Sequence, residues 1–234
     1  MTEIIDLSQE IYEGMPVYKD LPQVKMSVHN SHEEWNGIKN PKTRTPAVHK
    51  LEFGEHTGTH VDAINHMASE YKGASIDKMP LSMFYTEGIC LDFSDKNLRE
   101  LIEPNDIKIA CQKANVDIKK GDTVLMYTDH YRKNFNGKNW ANGPGISVEA
   151  TRWLGNKEIA AFGVETMSPG VPKLSNREVH HICGEMNFTH YENMINLNLL
   201  INRGRFRFIA FPLKIKGGTG SPVRAVAIFE SLNN

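Results

Sequence analysis

The chain has 234 residues, 40% of them hydrophobic and 24% charged, with a net charge of −1. That is enough to bury a full core in one domain over 1–234, and it leaves no basic stripe for nucleic acid. No apolar run approaches the roughly 20 residues of a membrane span, and Met1–Asp6 lacks the regions of a secretory signal.

In chain order, the first feature is the polar stretch from His29 to Pro46, which contains Trp35 and Gly37 and reads as a long loop. Long loops in compact domains often form lids or binding walls, and Trp35 is a candidate to stack on an aryl substrate.

Next comes Glu55-His56-Thr57-Gly58-Thr59-His60-Val61-Asp62-Ala63-Ile64-Asn65-His66. As a helix it fails, because Asp62 would sit about 200° around from His60 and no single ion would reach both. The β-branched residues and glycine also argue against helix. As a strand, His56, Gly58, His60 and Asp62 share one face. His60 and Asp62 then lie about 6.6 Å apart, but His56 would be about 13 Å from His60 unless the backbone bends at Gly58. Ala63 onward is read as the start of a helix that stacks His66 over Asp62 at i,i+4. Imidazole and carboxylate together suit a borderline divalent cation such as zinc or manganese, and so a metal-activated water.

Downstream the pattern is mixed α/β. Strands are predicted at 88–93, 123–128 and 160–164, then at 206–213 and 223–229. Helices are predicted at 106–115, at 147–156 with Ser147 as N-cap, and from Arg177 onward. Lys119–Asp122 reads as the turn into a strand.

His180, His181, Cys183, Glu185, His190 and Glu192 form a second polar cluster. A helix at His180 and a strand at Glu192 would return the two to one point, where Asp62 would bridge two ions. A helix that carries His180 and His181 to solvent, with Glu192 as a surface charge, fits the same residues. Cys183 beside these histidines is a minor alternative as a nucleophile. The other cysteines, Cys90 and Cys111, are distant, which fits reduced thiols in a cytoplasmic protein. Finally, Phe211–Arg224 holds a glycine-rich loop. It is either a plain hairpin turn or a set of N–H groups facing an anionic or carbonyl oxygen, and it lacks the ending of a nucleotide P-loop.

The run His56-Thr57-Gly58-Thr59-His60-Val61-Asp62, with His66 four residues on, resembles the signature of the cyclase family, which includes bacterial kynurenine formamidases and isatin hydrolases. Gly121-Asp122, Pro144–Ser147 and Phe211–Arg224 resemble it as well. The resemblance implies an α/β chain with a swivelling β/β/α fold, in which a mixed sheet or barrel core is flanked by helices. It implies a homodimer or homotetramer with one or two divalent ions per chain, Zn2+ or Mn2+. By that analogy His56, His60 and Asp62 hold a first ion, and Asp62, His180 and Glu192 a second, with His66 as the catalytic histidine. His180 is preferred to His181 because it stands twelve residues before Glu192.

Two positions depart from the pattern: Ile64 replaces a usual proline, and Glu165 stands where aspartate is commoner. Glu192, a carboxylate where isatin hydrolases tend to have an amide, leans toward a two-metal, formamidase-like site. The function expected is metal-dependent hydrolysis of an amide-type C–N bond in a small aryl substrate. A lactam or lactone hydrolase is the alternative enzyme, and a metal-bound protein without catalysis is the alternative of another class.

Overall fold

The computed structural model describes residues 1–35, 37–39, 46–66 and 69–230. Its strands are β1 Glu3–Asp6, β2 Lys25–Asn30, β3 Glu34–Trp35, β4 Ile38–Lys39, β5 Val48–Glu52, β6 His60–Asp62, β7 Tyr85–Asp92 and β8 Leu101–Ile102. They continue with β9 Thr123–Tyr127, β10 Gly145–Ile146, β11 Ala161–Val164, β12 Thr189–Glu192, β13 Phe206–Ile209, β14 Gly220–Pro222 and β15 Val226–Phe229. The α-helices are α1 Pro104–Ala114, α2 His130–Asn134, α3 Val148–Asn156 and α4 Asn176–Met186. None of the described helices is long and apolar enough to cross a membrane.

Nine strands form one mixed sheet in the order β1-β15-β13-β7-β9-β11-β12-β6-β14, curled into a half-barrel. The four from β7 to β12 run parallel, and antiparallel strands extend the sheet on either side. Central parallel strands are covered on both faces, so they read as continuous apolar runs. Alternate residues then divide between two cores. Ile89, Leu91, Val124, Met126 and Phe162 pack against Ile107, Ala150, Leu154, Val179 and Ile182 of the helices. Cys90, Leu125, Tyr191, Phe206 and Phe208 point to the other face, with Val61 and Met194.

The expected helices form where their caps stand. Pro104 opens α1 at a position that needs no N–H, and Glu103 and Asp106 form a reciprocal capping box. Ser147 caps α3 by accepting a hydrogen bond from the Ala150 N–H at 3.0 Å.

Two expectations are corrected. The stretch 29–46 is not structureless: β2 pairs with β5, and β3 with β4, as two antiparallel hairpins. Trp35 lies in β3, but its side chain falls outside the described residues. The last two predicted strands are also shorter than 206–213 and 223–229. Only Phe206–Ile209 and Val226–Phe229 join the sheet, and beyond them a single bridge links Pro212 to Val223. Proline has no N–H to extend a ladder, so pairing stops near Pro212 and Pro222.

Glu165, at the end of β11, closes the turn after β9. Its Oε2 accepts from the Thr128 N–H at 2.7 Å, the Thr128 hydroxyl at 2.8 Å and the His130 N–H at 3.2 Å. Burial pushes its carboxyl up to about 7 despite these donors, and Asp129 adds to the push. Folding therefore favours the protonated acid. That contribution is complete below the ordinary value of 4.5 and is lost as pH rises through about 7. Relative to Glu165→Gln, the wild-type protein should lose up to about 3 kcal/mol of unfolding free energy across that interval. Urea melts at several pH values measure this, and a difference that stays constant with pH refutes it.

Candidate metal centre

The histidine run is not one straight strand. Only His60–Asp62 joins the sheet, and Gly58, at φ +60°, turns the chain ahead of it. The turn brings the His56 ring to 5.1 Å from that of His60, where an extended chain would hold them about 13 Å apart. Asn193 and Thr59 lock the bend. The Asn193 side-chain amide donates to the Gly58 carbonyl at 3.1 Å, and the Thr59 hydroxyl donates to the Asn193 carbonyl at 2.6 Å.

Among the described residues, 63–66 form a turn rather than the start of the expected helix. The His66 N–H donates to the Ala63 carbonyl in one turn, and the Ala63 N–H is already taken by the Thr219 carbonyl. His66 nevertheless comes to Asp62, its Nε2 lying 3.6 Å from Oδ2.

Strand β12 runs antiparallel beside β6, with Tyr191 opposite Val61 and Glu192 opposite His60. The same register sets His190 opposite Asp62. The four side chains at 60, 62, 190 and 192 therefore lie on one sheet face. Helix α4 adds His180, which is buried at the cluster, while His181 stays outside it. Sequence reasoning missed His190 as a site residue. The available signal was its i,i+2 spacing to Glu192, the same as that of His60 to Asp62.

Hydrogen bonds fix which ring nitrogens face the centre. The Nδ1–H of His60 donates to the Gly58 carbonyl at 2.9 Å, and that of His180 to the Asn176 carbonyl at 2.7 Å. Their Nε2 lone pairs are left to face carboxylate oxygens, an arrangement typical of metal-bound imidazole. His60 Nε2 lies 3.4 Å from Asp62 and 3.5 Å from Glu192, and His180 Nε2 lies 3.5 and 3.6 Å from them. His190 Nε2 lies 3.3 Å from both. These gaps are long for N–H···O bonds. Those of His180 and His190, which face the same two oxygens, Asp62 Oδ2 and Glu192 Oε1, match the edge of about 3.4 Å of a tetrahedron with bonds of about 2.1 Å, whereas His60 faces the other two, Oδ1 and Oε2.

Electrostatics agree. Asp62 Oδ2 is buried without a hydrogen-bond partner. Burial pushes the Asp62 carboxyl up, but His190, His56 and His60 outweigh it and hold the group well below its usual range. Against the same burial, His180, His190 and His60 hold Glu192 down to about 2. Two ionised carboxylates in a buried site need positive charge beside them, from protonated imidazoles or from a bound cation. The donor set, its geometry and the orphaned oxygen all fit a divalent cation.

Donor atoms of His56, Asp62 and His66 form a second close group, beside that of Asp62, His180, His190 and Glu192. The partition differs from the expected one in two ways. His190 joins Asp62, His180 and Glu192, and His66, 3.6 Å from Asp62, stands in the group where His60 was expected. His56 Nδ1 lies 2.7 Å from Asp62 Oδ1, and its Nε2 lies 3.1 Å from the Thr219 hydroxyl. That hydroxyl gives its only hydrogen to Glu55 at 2.7 Å, so it accepts from His56. Nδ1 of His56 is thereby turned to the centre.

The glycine-rich loop thus meets an anion of its own chain. The Thr219 N–H donates to Glu55 at 3.0 Å and the Gly217 N–H to Asp77 at 3.0 Å. Gly220 pairs with Asp62 across β14 and β6, and a Cβ there would come within 2.6 Å of the His56 ring.

The cluster opens into a cavity of about 320 Å³, walled also by Tyr18, Leu21, Met167 and Ser168. Cys183 is buried and its thiol is pushed up by that burial, which argues against a thiolate nucleophile.

Residues 5–171 match the Cyclase family model, described as "Putative cyclase". The isatin hydrolase of Roseibium aggregatum is 26% identical over 191 residues, which covers 75% of this chain and 72% of the relative. The kynurenine formamidase of Salinibacter ruber is 25% identical over 226 residues, covering 95% of this chain and 96% of the relative. Among solved structures, isatin hydrolase A from Ralstonia solanacearum superposes with a TM-score of 0.84 at 27% identity, covering 98% of this chain and 92% of that one.

If Thr219 holds the His56 ring, Thr219→Val should weaken divalent-metal binding by about 10–100-fold, and Thr219→Ser should retain it. Equilibrium dialysis against zinc reads the change; equal affinity in all three proteins removes Thr219 from the site.

Proposed function

The chain belongs to the cyclase family, and from that premise we propose that it is a metal-dependent hydrolase of amide-type C–N bonds in a small substrate. The observation that carries this reading is the convergence of the His180 and His190 Nε2 atoms on Asp62 Oδ2 and Glu192 Oε1 at 3.3–3.6 Å. Nitrogen and carboxylate donors suit zinc or manganese. When bound, such an ion acidifies water and polarises a carbonyl.

The protein's own groups supply the rest. Asp62 and Glu192 provide the charge that holds the ion, and the backbone carbonyls of Gly58 and Asn176 hold two imidazoles in the ligating tautomer. His66 lines the cavity. Burial, reinforced by the neighbouring His56 and His180, pushes its imidazole down to about 4 against the pull of Asp62. It is therefore neutral at working pH and able to take a proton from the attacking water. It then returns that proton to the leaving nitrogen, which would otherwise depart as an unstable anion.

The substrate is an aryl formamide in the first reading. The similarity to isatin hydrolase supports a second, the opening of a cyclic amide, in which the same groups act on a lactam. Chelation should abolish turnover of a formanilide, isatin and aryl-lactone panel, and zinc or manganese should restore it. Hydrolysis that persists after thorough chelation defeats the proposal. His66→Ala should lower kcat by about 10²–10⁴-fold with metal content unchanged. Loss of the metal in that variant would make His66 a ligand instead.

A further inference from the structure

Two cationic side chains, Lys19 and Arg177, line the same cavity as the histidine–carboxylate cluster. Lys19 belongs to the segment that also supplies Tyr18 and Leu21, and Arg177 lies in the first turn of α4, one turn before His180. Both are exposed at the cavity, and neither has an ion-pair partner among the described residues. Nearly every other arginine in the described chain is committed. Arg132, Arg152, Arg203, Arg205, Arg207 and Arg224 each pair with a carboxylate.

Among the described residues, the only carboxylates lining the cavity are Asp62 and Glu192, and these face inward to the ring nitrogens. One divalent ion would balance their charge, leaving Lys19 and Arg177 uncompensated. A second ion would make the cavity more positive still. Such a field favours an anionic ligand and raises its local concentration. The same cavity is walled by Tyr18, Leu21 and Met167, which suit an apolar or aryl body. A volume of about 320 Å³ is at the small end of ligand pockets.

We propose that Arg177 and Lys19 form an anion subsite, so that the substrate is a small carboxylate whose amide carbonyl reaches the cluster while its acid group pairs with these cations. The inference rests on the amide-hydrolase reading for the carbonyl end, but the subsite can be tested without it. An arginine accepts a carboxylate through two parallel N–H···O bonds. Lys19 adds a point charge, and neither group has to break an existing pair first.

The experiment compares the three formamidobenzoate isomers with neutral formanilide, using zinc- or manganese-loaded protein. It also measures binding of the matching aminobenzoates by titration calorimetry. For the best isomer, kcat/KM should exceed that for formanilide by about 10-fold or more, and added salt should shrink the preference. Arg177→Ala should cut the preference about 10-fold and weaken aminobenzoate binding to the same degree. Arg177→Lys should recover part of both, and Lys19→Ala should act in the same direction. A preference and an affinity that ignore these substitutions overturn the subsite, whatever the enzyme hydrolyses. Aminobenzoate binding that depends on Arg177, with no turnover of any formamide, upholds the subsite and defeats the amide-hydrolase reading instead.

Discussion

Two carboxylates, Asp62 and Glu192, are buried within reach of the same imidazoles. Negative charge in such a place is costly unless a cation or a set of protonated donors stands beside it. Three rings of the centre are arranged around that constraint. His60 and His180 spend their Nδ1–H groups on backbone carbonyls, so that their remaining nitrogens face the carboxylates. His56 is turned the same way by the Thr219 hydroxyl, which is itself committed to Glu55. The site is specified less by its ligand types than by the hydrogen bonds behind them.

The sheet converts this requirement into geometry. Side chains alternate along a strand, so His60 and Asp62 share a face, and so do His190 and Glu192. Antiparallel pairing of β6 with β12 sets the two pairs edge to edge. A slip of β12 by one residue would send His190 and Glu192 to the face opposite His60 and Asp62. That register is protected by Val61 and Tyr191, which alternate with the ligands and are fully buried in the core behind them. Core packing and site geometry therefore depend on the same two strands. The cavity carries a second charge pattern, the unpaired Lys19 and Arg177, which is set by chain segments that play no part in the sheet.

The legibility of the chain follows the range of the interactions. Helices α1 and α3 were readable because Pro104, Asp106 and Ser147 act within one turn of their positions. Strands β7, β9 and β11 were readable because burial on both faces leaves unbroken apolar runs. The hairpins of 25–52 were not: β2 and β5 are mostly exposed, so no burial pattern marks them. The stretch Ala63–His66 was read as a helix start, but the described residues there form one turn, closed by the His66 N–H on the Ala63 carbonyl, while the Ala63 N–H goes to the Thr219 carbonyl more than 150 residues away.

By itself the sequence determined the donor types, the bend at Gly58 and the family, because those reside in residue identity and in spacings of two to four positions. Only the tertiary structure decided that His180 rather than His181 turns inward, that His190 joins the centre and that His66 comes within 3.6 Å of Asp62. Each of those outcomes depends on the register of β6 against β12 and on the packing of α4. Pairing across more than 120 residues is a sum over many weak contacts, and no short motif encodes it.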